Sequence, residues 1–130
     1  MSIAMNLEAE VGVSDADVHA ALVACGVYET VGSIDGFKGN FPLSNMFFAF
    51  NRADADHSRI RAEGYEDDWM VGCRCTFVYV VANFDECRRQ MRQFLEELTS
   101  LTSANWVLTF QYEAIYAARD GRGVRYSEEL

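Results

Sequence analysis

The sequence predicts a single α+β domain over residues 1–130, built as a mostly antiparallel sheet of four to five strands with two main helices packed on one face. Three observations carry this. Apolar residues recur at every second position, the period of a strand, over 3–11, 71–81 and 105–118. Residues 84–101 carry an apolar stripe at the 3.6-residue period of a helix. The order strand–helix–strand occurs at 71–118 and again at 3–34, which lets both helices cover one sheet face. Half of the 130 residues are apolar and nine are Phe, enough to fill a core without disulfide staples.

The elements follow in order. In the first strand Ile3, Met5, Leu7, Ala9 and Val11 lie on one side, and Asn6, Glu8 and Glu10 on the other. Ser14 is an N-cap, with Asp17 at the reciprocal capping-box position, and the helix it opens runs to about Cys25, where Gly26 stops it. Residues 27–50 read as strands and turns, with Asp35-Gly36 and Gly39-Asn40 as turn dipeptides and 43–50 as a short strand. Residues 51–68 are polar and weakly periodic, a long surface loop with one helical turn, and long loops in compact domains are often functional. The strand at 71–81 is apolar on both faces by Phe77, which makes it central. Asn83 caps the second helix, whose stripe is Phe84, Cys87, Met91, Phe94, Leu95, Leu98 and Leu101, while Asp85–Arg89 and Arg92–Glu96 pair on its solvent side. One long strand at 105–118 and a short polar tail complete the chain.

Several chemistries are disfavoured by spacing. Cys73 and Cys75 form a C-x-C pair on a strand, where i and i+2 do not make the tight two-ligand turn of a structural zinc site, so no metal is expected and the four cysteines read as buried thiols. Asp56-His57-Ser58 holds the letters of a hydrolase triad, but consecutive residues do not align nucleophile, base and orienter. The glycines at 32, 36 and 39 fit neither a P-loop nor a dinucleotide fingerprint, and no cofactor is expected. Arg88, Arg89 and Arg92 are ringed by Asp85, Glu86, Glu96 and Glu97, a self-neutralised face and not a nucleic-acid contact. The expectation is a protein that is not an enzyme. With neither a cationic leader nor an apolar run of about 18 residues, it is also expected to be cytoplasmic and free of the membrane.

Residues 34–46 contain Phe37-Lys38-Gly39-Asn40-Phe41 followed by Leu43-Ser44-Asn45. This is similar to the F-x-G-x-F…L-S-N opening of the NADAR N-glycosidase family, and the resemblance singles out Phe37, Gly39, Ser44 and Asn45. That family's Val-Glu-His segment and lysine-bearing helix have no counterpart after Phe50.

Charge gives the remaining lead. The net charge is −9, and the first 37 residues hold six carboxylates (Glu8, Glu10, Asp15, Asp17, Glu29, Asp35) and no Lys or Arg. A second acidic block, Asp54, Asp56, Glu63, Glu66, Asp67 and Asp68, is interleaved with Tyr65 and Trp69. Aromatic anchors beside carboxylates are the make-up of a protein-binding patch for a basic partner, so these eight residues are the predicted contact site. In size, charge and α+β layout the chain resembles the cytoplasmic immunity proteins of bacterial bacteriocin and contact-dependent inhibition systems. That resemblance implies an acidic inhibitor that occludes a cognate basic nuclease toxin. A phage anti-defence inhibitor acting as a nucleic-acid mimic has the same character. The order of helix, strands, long helix and strand also resembles class I type III secretion chaperones, though their final amphipathic helix has no counterpart after Ala118.

Overall fold

The computed structural model describes residues 3–130. In chain order it contains β1 (Ile3–Glu10), α1 (Asp15–Ala24), β2 (Val31–Gly32), β3 (Gly36–Asn40), β4 (Phe47–Arg52), β5 (Val71–Tyr79), α2 (Phe84–Leu101), β6 (Trp106–Phe110), β7 (Ala114–Asp120) and β8 (Gly123–Tyr126). The alternating N-terminal segment becomes the middle of the sheet, because β1 pairs antiparallel with β5 on one side and β6 on the other. The sheet order is β2-β3-β4-β5-β1-β6-β7-β8, with every neighbouring pair antiparallel. Its middle, β4-β5-β1-β6, is two interleaved split βαβ units: α1 carries the chain from β1 past β5 to the β4 side, and α2 carries it from β5 past β1 to β6.

The α+β class and the antiparallel sheet are as expected, but among the described residues the sheet has eight strands where the sequence predicts four to five. Part of the excess is the stretch at 105–118, which folds back on itself as the β6–β7 hairpin. Its turn is made by Gln111 (φ 51°) and Tyr112 (φ 65°), both left-handed, a conformation that costs about 1–2 kcal/mol for each non-glycine residue. The Glu113 N–H donates to the Phe110 carbonyl at 2.9 Å and the Tyr112 N–H to Thr109 Oγ1 at 3.1 Å, closing the turn without any Gly, Asn or Asp to announce it. The tail adds β8, whose Tyr126 faces Ala117. Gly39-Asn40 lies inside β3 and is not a turn; the chain reverses after Pro42 instead, with Leu43 (φ 67°) and Asn45 (φ 59°) left-handed. Gly36 accounts for the close approach of β3 to β4, since a Cβ there would fall on the Phe50 carbonyl.

One sheet face and both helices form the main core. Leu7, Cys75, Phe77, Phe48 and Trp106 from the strands meet Val18 and Leu22 of α1 and Met91, Phe94 and Leu98 of α2, all buried. Each such side chain contributes roughly 1.5–3 kcal/mol by leaving water. The capping box forms as the spacing demands: Ser14 Oγ accepts the Asp17 N–H at 3.1 Å and Asp17 Oδ2 accepts the Ser14 N–H at 3.2 Å. Ser14→Ala is expected to lower stability by about 1 kcal/mol, read as an earlier urea midpoint at unchanged slope. Asn83 does not cap α2; its side-chain amide donates to the Ser44 carbonyl at 3.2 Å. On the solvent side Arg92 meets Glu96 as expected, while Arg89 pairs with Glu86 and leaves Asp85 to Arg88. Arg88 and Arg92 also hold the tail, donating to the carbonyls of Glu129 (2.7 Å) and Leu130 (3.1 Å).

Candidate functional site

The site is built on the second face of the sheet, starting from Glu8. Strand alternation turns Glu8 away from the helices, yet the segment 53–70 crosses that face and leaves its side chain fully buried. The carboxylate accepts the backbone N–H groups of Arg61 (3.0 and 3.1 Å) and Ala62 (2.9 Å) and pairs with Arg74 at 3.0 Å. Arg74 stands across from Glu8 in the β1–β5 register and donates to the carbonyls of His57 (2.6 Å) and Arg59 (2.7 Å). One buried ion pair thus holds the loop backbone by donors and acceptors together.

A second clamp holds the other end of the loop. The Tyr65 hydroxyl donates to Asp120 Oδ2 at 2.8 Å and accepts the Trp69 indole N–H at 3.2 Å. Asp120, its side chain 1% exposed, also pairs with Arg125 (2.8 Å) and Arg122 (3.0 Å). The Arg125 guanidinium, and after it Arg122, holds the Asp120 carboxyl well below the usual carboxylate range, against the opposing effect of burial. Burial pushes the Tyr65 phenol up to about 12, so it stays a hydrogen-bond donor at neutral pH. Beneath the loop, Ala62, Tyr65 and Trp69 pack on Val71, Val107 and Ala118 in a small second core.

The eight predicted contact residues separate accordingly. Tyr65 and Trp69 are each 7% exposed and form the underside of the loop, so they do not present ring faces as anchors to a partner. Glu66, Asp67 and Asp68 are exposed above them around an open depression of about 370 Å³, with Met70 (55% exposed) at its rim. Asp54 and Asp56 are exposed at the far end of the loop, in and beside the 3-10 turn Ala55–His57, and Glu63 is exposed between the two ends. Asp54 accepts from or pairs with His57 Nδ1 at 2.6 Å, which lowers its carboxyl below the ordinary range. Of the six carboxylates, Asp54 alone has a basic side chain as its partner among the described residues. The loop therefore displays six carboxylates against two arginines, Arg59 and Arg61, on a backbone fixed from below.

Other candidate groups are occupied by structure. All four cysteines are free and buried, and burial pushes the Cys25 thiol up to about 11 and Cys73 up to about 12, away from thiolate chemistry. Among the described residues no group of three or more His, Cys, Asp or Glu is placed to hold a metal ion, and no helix is long and apolar enough to cross a membrane. Phe37 stacks between His19 (3.9 Å) and Phe50 (4.7 Å), Gly39 packs under Phe48, and the buried Ser44 bonds to Gln90 of α2, so these residues of the F-x-G-x-F…L-S-N stretch are engaged in packing, while Leu43 and Asn45 are exposed in the turn before β4. No family model, curated protein or solved structure matches the chain. Glu8, Arg74 and Asp120, which organise the site, carry no local sequence signal; only a carboxylate in the middle of an apolar strand could have drawn attention to Glu8.

Proposed function

We propose that the protein is an acidic inhibitor of the immunity type, which binds a cognate basic protein in the bacterial cytoplasm and occludes its active site. A nuclease toxin is the class of partner whose chemistry fits best, because a site that binds nucleic-acid phosphates is lined with Lys and Arg. The observation that carries this reading is the 53–70 loop: six exposed carboxylates on a segment clamped by Glu8–Arg74 and by Asp120–Tyr65–Trp69. A fixed acidic surface raises the encounter rate with a cationic partner, and its rigidity reduces the ordering cost of binding. Carboxylates spaced along a ridge take the place of substrate phosphates. Buried Tyr65 and Trp69 act through the rigidity of that ridge, and Met70 supplies apolar contact at its rim.

The test begins with the immobilised protein and a lysate of its host: a basic protein should be retained and released by salt. With that partner in hand, reversing Glu66, Asp67 and Asp68 to Lys should slow association by about tenfold or more at low ionic strength and flatten its salt dependence. The dissociation rate should change much less. An association rate indifferent to both charge reversal and salt would sink the electrostatic mechanism.

A further inference from the structure

Four of the six carboxylates in the base-free opening segment act within the fold. Glu8 is in the loop clamp, Glu10 accepts the Asn105 N–H, Asp15 pairs with Arg52, and Asp17 completes the α1 capping box. Glu29 and Asp35 remain exposed, and both flank β2, the outermost strand of the sheet. Large apolar side chains are exposed along the same edge: Ile34 (97%) and Tyr28 (79%), joined by Val31 (61%). The β2–β3 register places Val31 opposite Lys38, and Ile34 lies in the turn that leads to Gly36.

Backbone groups on this edge are also free to pair. The Ser33 N–H donates to the Gly36 carbonyl at 2.8 Å, which makes Ser33–Gly36 and Val31–Lys38 the hydrogen-bonded pairs of the hairpin. Gly32 falls between them and turns its own N–H and C=O outward. Before β2 the chain at 26–30 runs beside the end of β3, where a Cβ on Gly39 would come within 3.1 Å of the Glu29 carbonyl, and an open groove of about 900 Å³ lies between Tyr28, Val31, Gly39 and Pro42. An uncovered edge strand bordered by large apolar side chains is a template for an incoming strand.

We propose that the β2 edge and its groove are a docking surface for an extended cationic segment of a partner protein, which adds to the sheet as a further strand. Its backbone pairs with Gly32, its apolar side chains contact Tyr28, Val31 and Ile34, and its Lys or Arg side chains meet Glu29 and Asp35. The occupant follows from charge. Lys38, exposed opposite Val31, offsets one of the two carboxylates and leaves the edge with a net negative charge; a second copy of this chain would add to it a molecule of net charge −9, whereas a cationic segment relieves that field. The choice of a cationic partner rests on the acidic-inhibitor reading; the edge geometry does not.

The test is a titration of the 15N-labelled full chain with a blocked peptide of alternating Lys and Val, and with its Glu–Val counterpart. The Lys–Val peptide should shift the amides of residues 28–34 saturably, and the Glu–Val peptide should bind at least about tenfold more weakly. Gly32→Pro removes the outward N–H, so it should weaken binding by about tenfold. Gly32→Ala, whose Cβ meets nothing within 4 Å, should bind like the native chain. Should Gly32→Pro disturb the hairpin, Glu29→Lys with Asp35→Lys gives the same reading through charge. Equal binding of the two peptides, undiminished binding by both variants, or shifts confined to 53–70 overturns the proposal. Edge shifts that grow with protein concentration in the absence of peptide overturn it in favour of self-association. Reversal of Glu66, Asp67 and Asp68 should weaken peptide binding at the edge much less than Glu29→Lys with Asp35→Lys does, because it acts there only through the long-range field. Edge binding without capture of any basic protein would therefore refute the inhibitor reading and leave the docking surface standing.

Discussion

Glu8→Ala is expected to destabilise the protein by about 3–5 kcal/mol and to lower its melting temperature by roughly 10 °C or more. The carboxylate is wholly buried, and its removal leaves Arg74, 12% exposed, as an unpaired charge. Two loop donors, the N–H groups of Arg61 and Ala62, lose their acceptor in the same step. The double variant Glu8→Leu with Arg74→Leu separates these effects. If the ion pair alone mattered, replacing both partners with apolar side chains would restore most of the stability. Because the Arg61 and Ala62 N–H groups remain without their acceptor, a deficit of about 2 kcal/mol should persist. Denaturant unfolding gives the total, and hydrogen exchange at Arg61 and Ala62 shows where it falls. Those amides should exchange faster by a larger factor than the amides of β5, because the loop opens before the sheet does. Uniform acceleration across the sheet would mean that Glu8 supports the core and not the loop. For binding, a loop that opens must be ordered again on contact, so affinity should fall in Glu8→Ala although no contact residue has changed.

What the sequence made legible divides by distance along the chain. The α1 capping box joins residues three apart, the α2 stripe follows a 3.6-residue period, and both appear as expected; β5 takes the interior position expected of it, although its second face carries Arg74 and Thr76 and is only half-buried. The hairpin at Gln111-Tyr112 was illegible because its turn uses side chains that ordinarily avoid positive φ, held there by the Thr109 hydroxyl. The burial of Glu8 was illegible for another reason. Alternation assigned it correctly to the face away from the helices, but its partner Arg74 lies 66 residues away, and only the path of 53–70 over that face removes it from water. The same holds for Tyr65 and Trp69. Beside four carboxylates they look like exposed anchors, and it is Asp120, 55 residues on, that draws the Tyr65 hydroxyl inward. The acidic character of the loop was readable from composition; its rigidity depends on long-range polar pairs that no periodicity encodes.

Asp120→Asn is expected to remove about 2 kcal/mol at neutral pH, and to remove progressively less as the pH is lowered. At neutral pH the carboxylate receives hydrogen bonds from Arg125, from the Arg122 side chain and backbone N–H, and from Tyr65. The two guanidiniums are 65% and 41% exposed and regain water when the charge is lost, which keeps the effect below that of Glu8. The direction of the pH effect follows from the depressed carboxyl pKa in the folded state. An unfolded Asp titrates near about 3.9, so above that value both states are ionised and the stabilisation is complete. Below it the unfolded chain takes up a proton that the folded chain does not, and stability falls by up to about 1.4 kcal/mol per pH unit from this group. Asn does not titrate, so the gap between the native and variant unfolding curves should narrow between roughly pH 4 and pH 2. Parallel curves through that range would show that Asp120 is not what holds the clamp. Trp69 offers a local readout, since its indole N–H bonds to the Tyr65 hydroxyl that Asp120 orients. In the variant its fluorescence should report a wetter indole at neutral pH, while the helix-covered face around Trp106 keeps its packing. The acidic ridge would then be mobile on an intact sheet, and any loss of partner affinity in Asp120→Asn would measure the contribution of its rigidity.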